Sequence, residues 1–279
     1  MDWMRHRFHQ VDVFGSRPCS GNPVAVVLDA DGLSIEEMQR FARWTNLSET
    51  TFVLPPGDPE ADYRVRIFTP VLELPFAGHP TLGTCHAWLE AGGEARHPSE
   101  IVQECGAGLV RIRREEDRLA FAAPPLIRSG PASEEEVERI ATALGVERSE
   151  LLAVEWVDNG PGWIAALFES VERVLELEPK TVDFDLGVVG FYPQGSEAAI
   201  ELRAFFPIAG VTAEDPVTGS LNASVAQWLI GSGRLSAPYV ATQGSAIDRA
   251  GRIHVDQDEE GTIWVGGRNE TVISGSVEL

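Results

Sequence analysis

Arg66-Ile67-Phe68-Thr69-Pro70, then Glu73-Leu74-Pro75-Phe76-Ala77-Gly78-His79, then Trp88-Leu89 has a counterpart in the second half of the chain. There the order is Arg203-Ala204-Phe205-Phe206-Pro207, then Glu214-Asp215-Pro216-Val217-Thr218-Gly219-Ser220, then Trp228-Leu229. Both runs fit R-x-F-x-P, E-x-P-x-x-G-x and W-L. One such block arises by chance; three in the same order point to an internal duplication. Each half then reads as a strand feeding a Gly/Pro loop that opens an apolar helix. Two similar lobes follow, 1–122 and 123–279, with the boundary at Ala123-Pro124-Pro125. The last strand-like segments, Ile263–Val265 and Thr271–Ser274, are open to pairing with either lobe.

Outside the repeat, Phe8–Phe14 alternates apolar and polar residues, as a half-buried strand does, and Val24–Leu28 is a short apolar run of strand length. Ser34-Ile35-Glu36-Glu37 predicts a capping box opening a helix through Trp44, with Ile35, Met38, Phe41 and Ala42 on its apolar face. Ser133-Glu134-Glu135-Glu136 predicts a second capped helix, through Leu144.

The two loops are the first candidate site. A helix start has unpaired N–H groups and a partial positive charge, so it holds a carboxylate or phosphate without a cationic side chain. Gly78 and Gly219 allow close approach to the backbone, and His79 and Ser220 stand at matching repeat positions. Asp215 breaks the symmetry, because Leu74 occupies its place in the first half. Against this stand plain structural readings: His79 as a helix cap, Asp215-Pro216 as an N-cap with proline at the first helical position, and Ser220 bonding back within its helix. If the two lobes form a cleft, the paired loops would share it.

Composition narrows the chemistry. The 279 residues are 43% hydrophobic and 23% charged, a globular balance. A net charge of −21 disfavours nucleic acid and anionic membranes as partners. No apolar run reaches the ~20 residues that span a bilayer, and Met1–Gln10 lacks the apolar stretch of a secretory signal, so a cytoplasmic location is expected. Cys19, Cys85 and Cys105 form no disulfide framework or zinc spacing. The histidines include no H-E-x-x-H, and the single lysine, Lys180, lies in a polar stretch unsuited to Schiff-base chemistry. No metal is expected. Three readings stay open on the residues alone: an isomerase, an amino-acid racemase or epimerase, and a non-catalytic binding scaffold.

Four segments add a resemblance: Gly21-Asn22-Pro23-Val24-Ala25-Val26-Val27, Asn46-Leu47-Ser48-Glu49-Thr50-Thr51-Phe52, Phe76-Ala77-Gly78-His79-Pro80-Thr81-Leu82-Gly83 and Glu214-Asp215-Pro216-Val217-Thr218-Gly219-Ser220. They resemble the signature blocks of the phenazine-biosynthesis isomerase (PhzF-like) family, in the family order. Val157-Asp158-Asn159-Gly160 and Ala241-Thr242-Gln243-Gly244 resemble weaker blocks. The resemblance implies an α+β, diaminopimelate-epimerase-like fold, in which each lobe is a mostly antiparallel sheet wrapped around a central helix. It also implies a homodimer, no cofactor, and proton relocation on a small carboxylate, as in the isomerisation of trans-2,3-dihydro-3-hydroxyanthranilate. By motif, Glu49 would carry the proton; His79, Asp215 and Ser220, with the backbone of Gly78 and Gly219, would hold the substrate. A carboxylate that takes and returns a proton works best with its pKa raised toward the working pH, and burial near Asp215 would raise that of Glu49. Epimerases of this fold use two cysteines, which the loops of this chain lack.

Overall fold

The computed structural model describes residues 4–115, 117–208 and 210–279. Residues 1–3, where the N-terminal stretch read above begins, lie outside them. The chain divides into two compact units, Met1–Ala122 with Gly266–Leu279, and Ala123–Val265.

The first unit contains β1 (Arg5–Val13), β2 (Asn22–Val27), α1 (Ile35–Thr45), β3 (Glu49–Leu54), β4 (Tyr63–Phe68), β5 (Glu73–Leu74), α2 (Gly78–Glu90), β6 (Glu100–Cys105), β7 (Gly108–Arg114) and β8 (Leu119–Ala122). The β1–β2, β3–β4, β4–β5, β6–β7 and β7–β8 pairs are antiparallel. The β2–β3 and β4–β6 pairs are parallel, and each is bridged by a helical crossover, as parallel pairing requires.

The second unit holds β9 (Arg128–Pro131), α3 (Glu134–Leu144), β10 (Ala153–Asp158), β11 (Ile164–Phe168), α4 (Val171–Leu175), β12 (Leu186–Phe191), β13 (Ile200–Ile208), β14 (Val211–Asp215), α5 (Gly219–Gly231), β15 (Tyr239–Gln243) and β16 (Gly251–Gln257), and β17 (Ile263–Gly267) begins in it. Its pairings repeat the plan. The β11–β12 and β13–β15 pairs are parallel, across α4 and α5; β10–β11, β12–β13, β13–β14 and β15–β16 are antiparallel. Helix α3 is an addition without a counterpart, packed through Val137, Ile140 and Leu144 into the apolar core of this unit.

The final strand, β18 (Asn269–Glu278), pairs antiparallel with β1. The second unit therefore stops at Val265 rather than at the chain end.

The helices fall into two kinds. Capping boxes of Ser34 with Glu37 and of Ser133 with Glu136 open α1 and α3, which are amphipathic and buried on one face. Ile35 departs from the expected face of α1: it sits at the first helical position and is 53% exposed, while Met38, Phe41 and Ala42 are buried. Helices α2 and α5 are apolar nearly all round, and most of their residues are buried. In its unit, α2 touches β1, β2, β3, β8 and β18; α5 touches β10 and β16. Each is thus an internal helix with sheet around it, the arrangement expected of an element with no polar face. The fold is α+β.

The repeated R-x-F…E motif has a physical basis in both units. Arg66 forks onto both carboxylate oxygens of Glu73, at 2.7 and 2.6 Å, and lies over the Phe68 ring. Arg203 does the same to Glu214, at 3.0 and 2.8 Å, over Phe205. Each pair closes the hairpin that delivers the chain to its Gly/Pro loop. A bidentate fork fixes orientation as well as distance.

Candidate active site

In the first unit, Glu49 opens β3 and His79 lies in the first turn of α2. Their side chains meet: His79 Nε2 is 3.2 Å from Glu49 Oε2, with the imidazole buried and the carboxylate 15% exposed. Nε2 carries no aligned hydrogen bond among the described residues. The other ring nitrogen, Nδ1, is 3.3 Å from the buried side-chain amide nitrogen of Asn22, the first residue of β2. Burial pushes the His79 pKa down to about 3, opposed by a hydrogen bond with the Pro23 backbone. At neutral pH the ring is therefore uncharged, and His79 does not meet Glu49 as a cation.

Helix α2 starts without a side-chain cap, at Ala77. Its first intrahelical bond runs from Thr81 N to Ala77 O, leaving the N–H groups of Gly78 and His79 outside the ladder. Pro80 has no N–H to satisfy. Helix α5 starts the same way at Thr218, again without a side-chain cap, and Asn222 N makes the first bond, to Thr218 O. Neither helix has an acidic residue in its first turn, whereas α1, α3 and α4 have both a serine cap and acidic first-turn residues. The internal helices have left undone what the peripheral ones do to quiet a helix N-terminus. Their first turns suit an incoming anion.

In the second unit Asp215 ends β14 and is 9% exposed. It is not the N-cap of α5; three residues separate it from Gly219, so Pro216 is not at the first helical position. Thr218 Oγ1 donates to Asp215 Oδ2 at 2.7 Å. Ser220 is buried in the first helical turn. Trp163 Nε1–H donates to its Oγ at 3.0 Å, and Asn159 Nδ2 donates to its backbone oxygen at 2.9 Å. Because Oγ accepts from Trp163, its own O–H is left to donate elsewhere. Neither the capping reading of His79 nor the back-bonding reading of Ser220 describes these contacts.

The structure thus pairs Glu49 with His79 in one unit, and gathers Asp215, Gly219 and Ser220 around the start of α5 in the other. Sequence reasoning assigned no role to Asn22, Trp163 or Thr218. Asn22 and Asn159 stood inside quoted motifs, but Trp163 is 57 residues from Ser220 and carries no local signal. The thiols stand apart from this chemistry. Cys85 is buried in α2, where burial pushes its pKa up to about 12; Cys105 ends β6 with its pKa raised, chiefly by burial; Cys19 is exposed. Among the described residues no cluster of three or more His, Cys, Asp or Glu side chains is arranged to hold a metal ion, and no helix is long and apolar enough to cross a membrane.

Comparison with known proteins adds the following. The profile of the family described as phenazine biosynthesis-like protein matches residues 11–275. Antisense-enhancing sequence 1 of Schizosaccharomyces pombe is 37% identical, over 97% of this chain and 98% of its own. Trans-2,3-dihydro-3-hydroxyanthranilate isomerase of Pseudomonas aeruginosa is also 37% identical, over 98% of this chain and 100% of its own. A crystal structure of a PhzF-family phenazine biosynthesis protein from Bacillus anthracis has the same fold, with a TM-score of 0.83 at 24% identity over 99% of this chain and 100% of that one. A hydroxyproline epimerase from Agrobacterium vitis is a more distant match of fold, with a TM-score of 0.62 at 14% identity over 100% of this chain and 93% of that one.

Proposed function

Since the chain belongs to the phenazine biosynthesis-like family and is an isomerase, we propose that it relocates a proton on a small carboxylate-bearing substrate, as trans-2,3-dihydro-3-hydroxyanthranilate isomerase does. Glu49 carries the proton. It takes it from one substrate carbon and returns it to another, so no hydrogen is gained or lost overall. His79 stays neutral beside the carboxylate through the two transfers. The N–H groups at Gly78 and Gly219, with Ser220 O–H, hold the substrate and stabilise negative charge as the C–H bond breaks. Asp215 accepts a hydrogen bond from a donor group of the substrate. The scheme needs neither metal nor organic cofactor.

The observation that supports it best is the 3.2 Å approach of a partly buried carboxylate to a buried imidazole at an uncapped helix start. Burial of a carboxylate beside a neutral imidazole suits proton transfer. The assignment is tested with trans-2,3-dihydro-3-hydroxyanthranilate and the Glu49→Gln variant. Turnover by the wild type should fall by about 10³-fold or more in the variant, with substrate affinity kept within a few-fold. A variant that still turns over at a tenth of the wild-type rate would remove Glu49 from the role.

We also propose a cytoplasmic homodimer with no nucleic-acid partner. The strongly acidic composition supports the last point. Sedimentation at micromolar concentration tests the dimer: a single species at the chain mass of 30.3 kDa would contradict it.

A further inference from the structure

The repeat can be aligned residue by residue on structural grounds. Arg66 corresponds to Arg203, Glu73 to Glu214, and Gly78 to Gly219 as the first residue of its helix. Leu74, Ala77 and Thr81 then correspond to Asp215, Thr218 and Asn222. The strand after each helix is aligned by packing. A Cβ on Gly106 would lie 2.9 Å from Pro75 Cα, and one on Gly244 would lie 2.6 Å from Pro216 O. In each unit, then, a bare glycine just after β6 or β15 presses on the proline of the loop. The residue before that glycine is Cys105 in one half and Gln243 in the other. The parallel registers agree, since Tyr63 faces Gln103 and Ile200 faces Ala241, two residues before Cys105 and Gln243.

Four positions therefore carry an apolar, sulfur or hydroxyl side chain in the first half and a different polar side chain in the second. These four second-half residues are joined to one another. Gln243, fully buried, donates through Nε2 to Asp215 O at 3.1 Å and to Thr218 Oγ1 at 2.9 Å. Its Oε1 accepts from Thr218 N at 3.0 Å and from Asn222 Nδ2 at 2.9 Å. Thr218 Oγ1, having accepted from Gln243, has one proton to give, and gives it to Asp215 Oδ2 at 2.7 Å. The direction of every bond is thereby fixed: neither the amide nor the hydroxyl can turn round without losing partners. Asp215 is the one new carboxylate in the set, and the other three are arranged to aim it.

We propose that Gln243 and Thr218 are positioning residues for Asp215, a polar relay acquired by one copy of the duplicated loop when that loop took on a carboxylate. The relay rests on the reading of Asp215 as a substrate-binding group. It fixes one oxygen of the carboxylate against Thr218. At the same time it holds Thr218 in the extended conformation that starts α5, so the carboxylate and the helix N–H groups are set by one hub.

The test compares Thr218→Val, which keeps shape but removes the O–H, with Thr218→Ser, which keeps the O–H, and with Gln243→Leu. Crystal structures of the variants and kinetics with trans-2,3-dihydro-3-hydroxyanthranilate are read together. Thr218→Val and Gln243→Leu should show a displaced Asp215 carboxylate and lower kcat/KM on the order of tenfold or more, while Thr218→Ser restores both. A Thr218→Val enzyme with Asp215 unmoved, or a Thr218→Ser enzyme as impaired as Thr218→Val, would overturn the relay. Should the wild type fail to turn over this compound, the substrate assignment falls, and the position of Asp215 in the variant structures alone decides the positioning claim. If Gln243→Leu does not fold, the Thr218 pair still decides it.

Discussion

At the scale of the residue, His79 sets the character of the first half-site. A buried imidazole beside a carboxylate is often an ion pair. Here burial dominates and the ring is neutral at physiological pH. The consequence for stability has a definite sign. The pKa of His79 is about 3 in the folded protein against an ordinary value of 6.5. Between those values the unfolded chain binds a proton that the folded chain does not, so stability falls as pH drops from 6.5 toward 3. Wild-type Tm is expected to decline over that window more steeply than the Tm of His79→Gln; parallel curves would mean that the ring is charged in the fold. Glu49 and His79 were legible as family motif positions, but their contact was not. It joins a strand start to a helix start that lie far apart in sequence, and no periodicity reports it.

At the scale of the element, the hairpins that deliver the two loops are built alike but in different surroundings. The Arg203–Glu214 pair is 6% and 10% exposed, and Arg203 Nη1 also donates to the backbone oxygens of Val174 and Leu177 at the end of α4. The Arg66–Glu73 pair is 22% and 39% exposed. Removing one partner of a buried pair strands the other charge, whereas a half-exposed charge is rescued by water. Arg203→Met is therefore expected to cost about 3–5 kcal/mol, and Arg66→Met within about 1 kcal/mol, by chemical denaturation. Equal costs would show that the two forks are not the unequal structural devices that their burial implies. These arginines and glutamates were readable because the motif is short and recurs. The capping serines Ser34 and Ser133 were readable for the same reason: a cap and its glutamate lie three residues apart. Ile35 was misplaced because helical periodicity does not know that the first turn projects past the core.

At the scale of the whole molecule, one topology is used twice. Both units run from a parallel crossover through an antiparallel pair to a second parallel crossover, with an internal, uncapped helix after the Arg–Glu hairpin. That duplication was legible as three sequence blocks in order. The return of β18 to β1 was not, since a terminal strand of alternating polarity pairs equally well on paper with either half. Gln243 was quoted within a weak motif and assigned nothing, because the three partners of its four hydrogen bonds come from a loop and a helix more than twenty residues away. What duplication explains is the scaffold; what the copies do not share, Glu49 and His79 in one and Asp215 with its relay in the other, is where the proposed chemistry lies.

The central claim, that Glu49 carries a proton out of and back into the substrate, is met most directly by turnover in heavy water followed by mass and NMR analysis of the product. The carried proton exchanges with solvent while it sits on the Glu49 carboxyl, which is 15% exposed, so the account predicts deuterium, up to one per molecule, at the carbon that receives the proton in the wild-type reaction, with none above the buffer background when Glu49→Gln is incubated with the same substrate. Equal labelling by the variant and the wild type would contradict it.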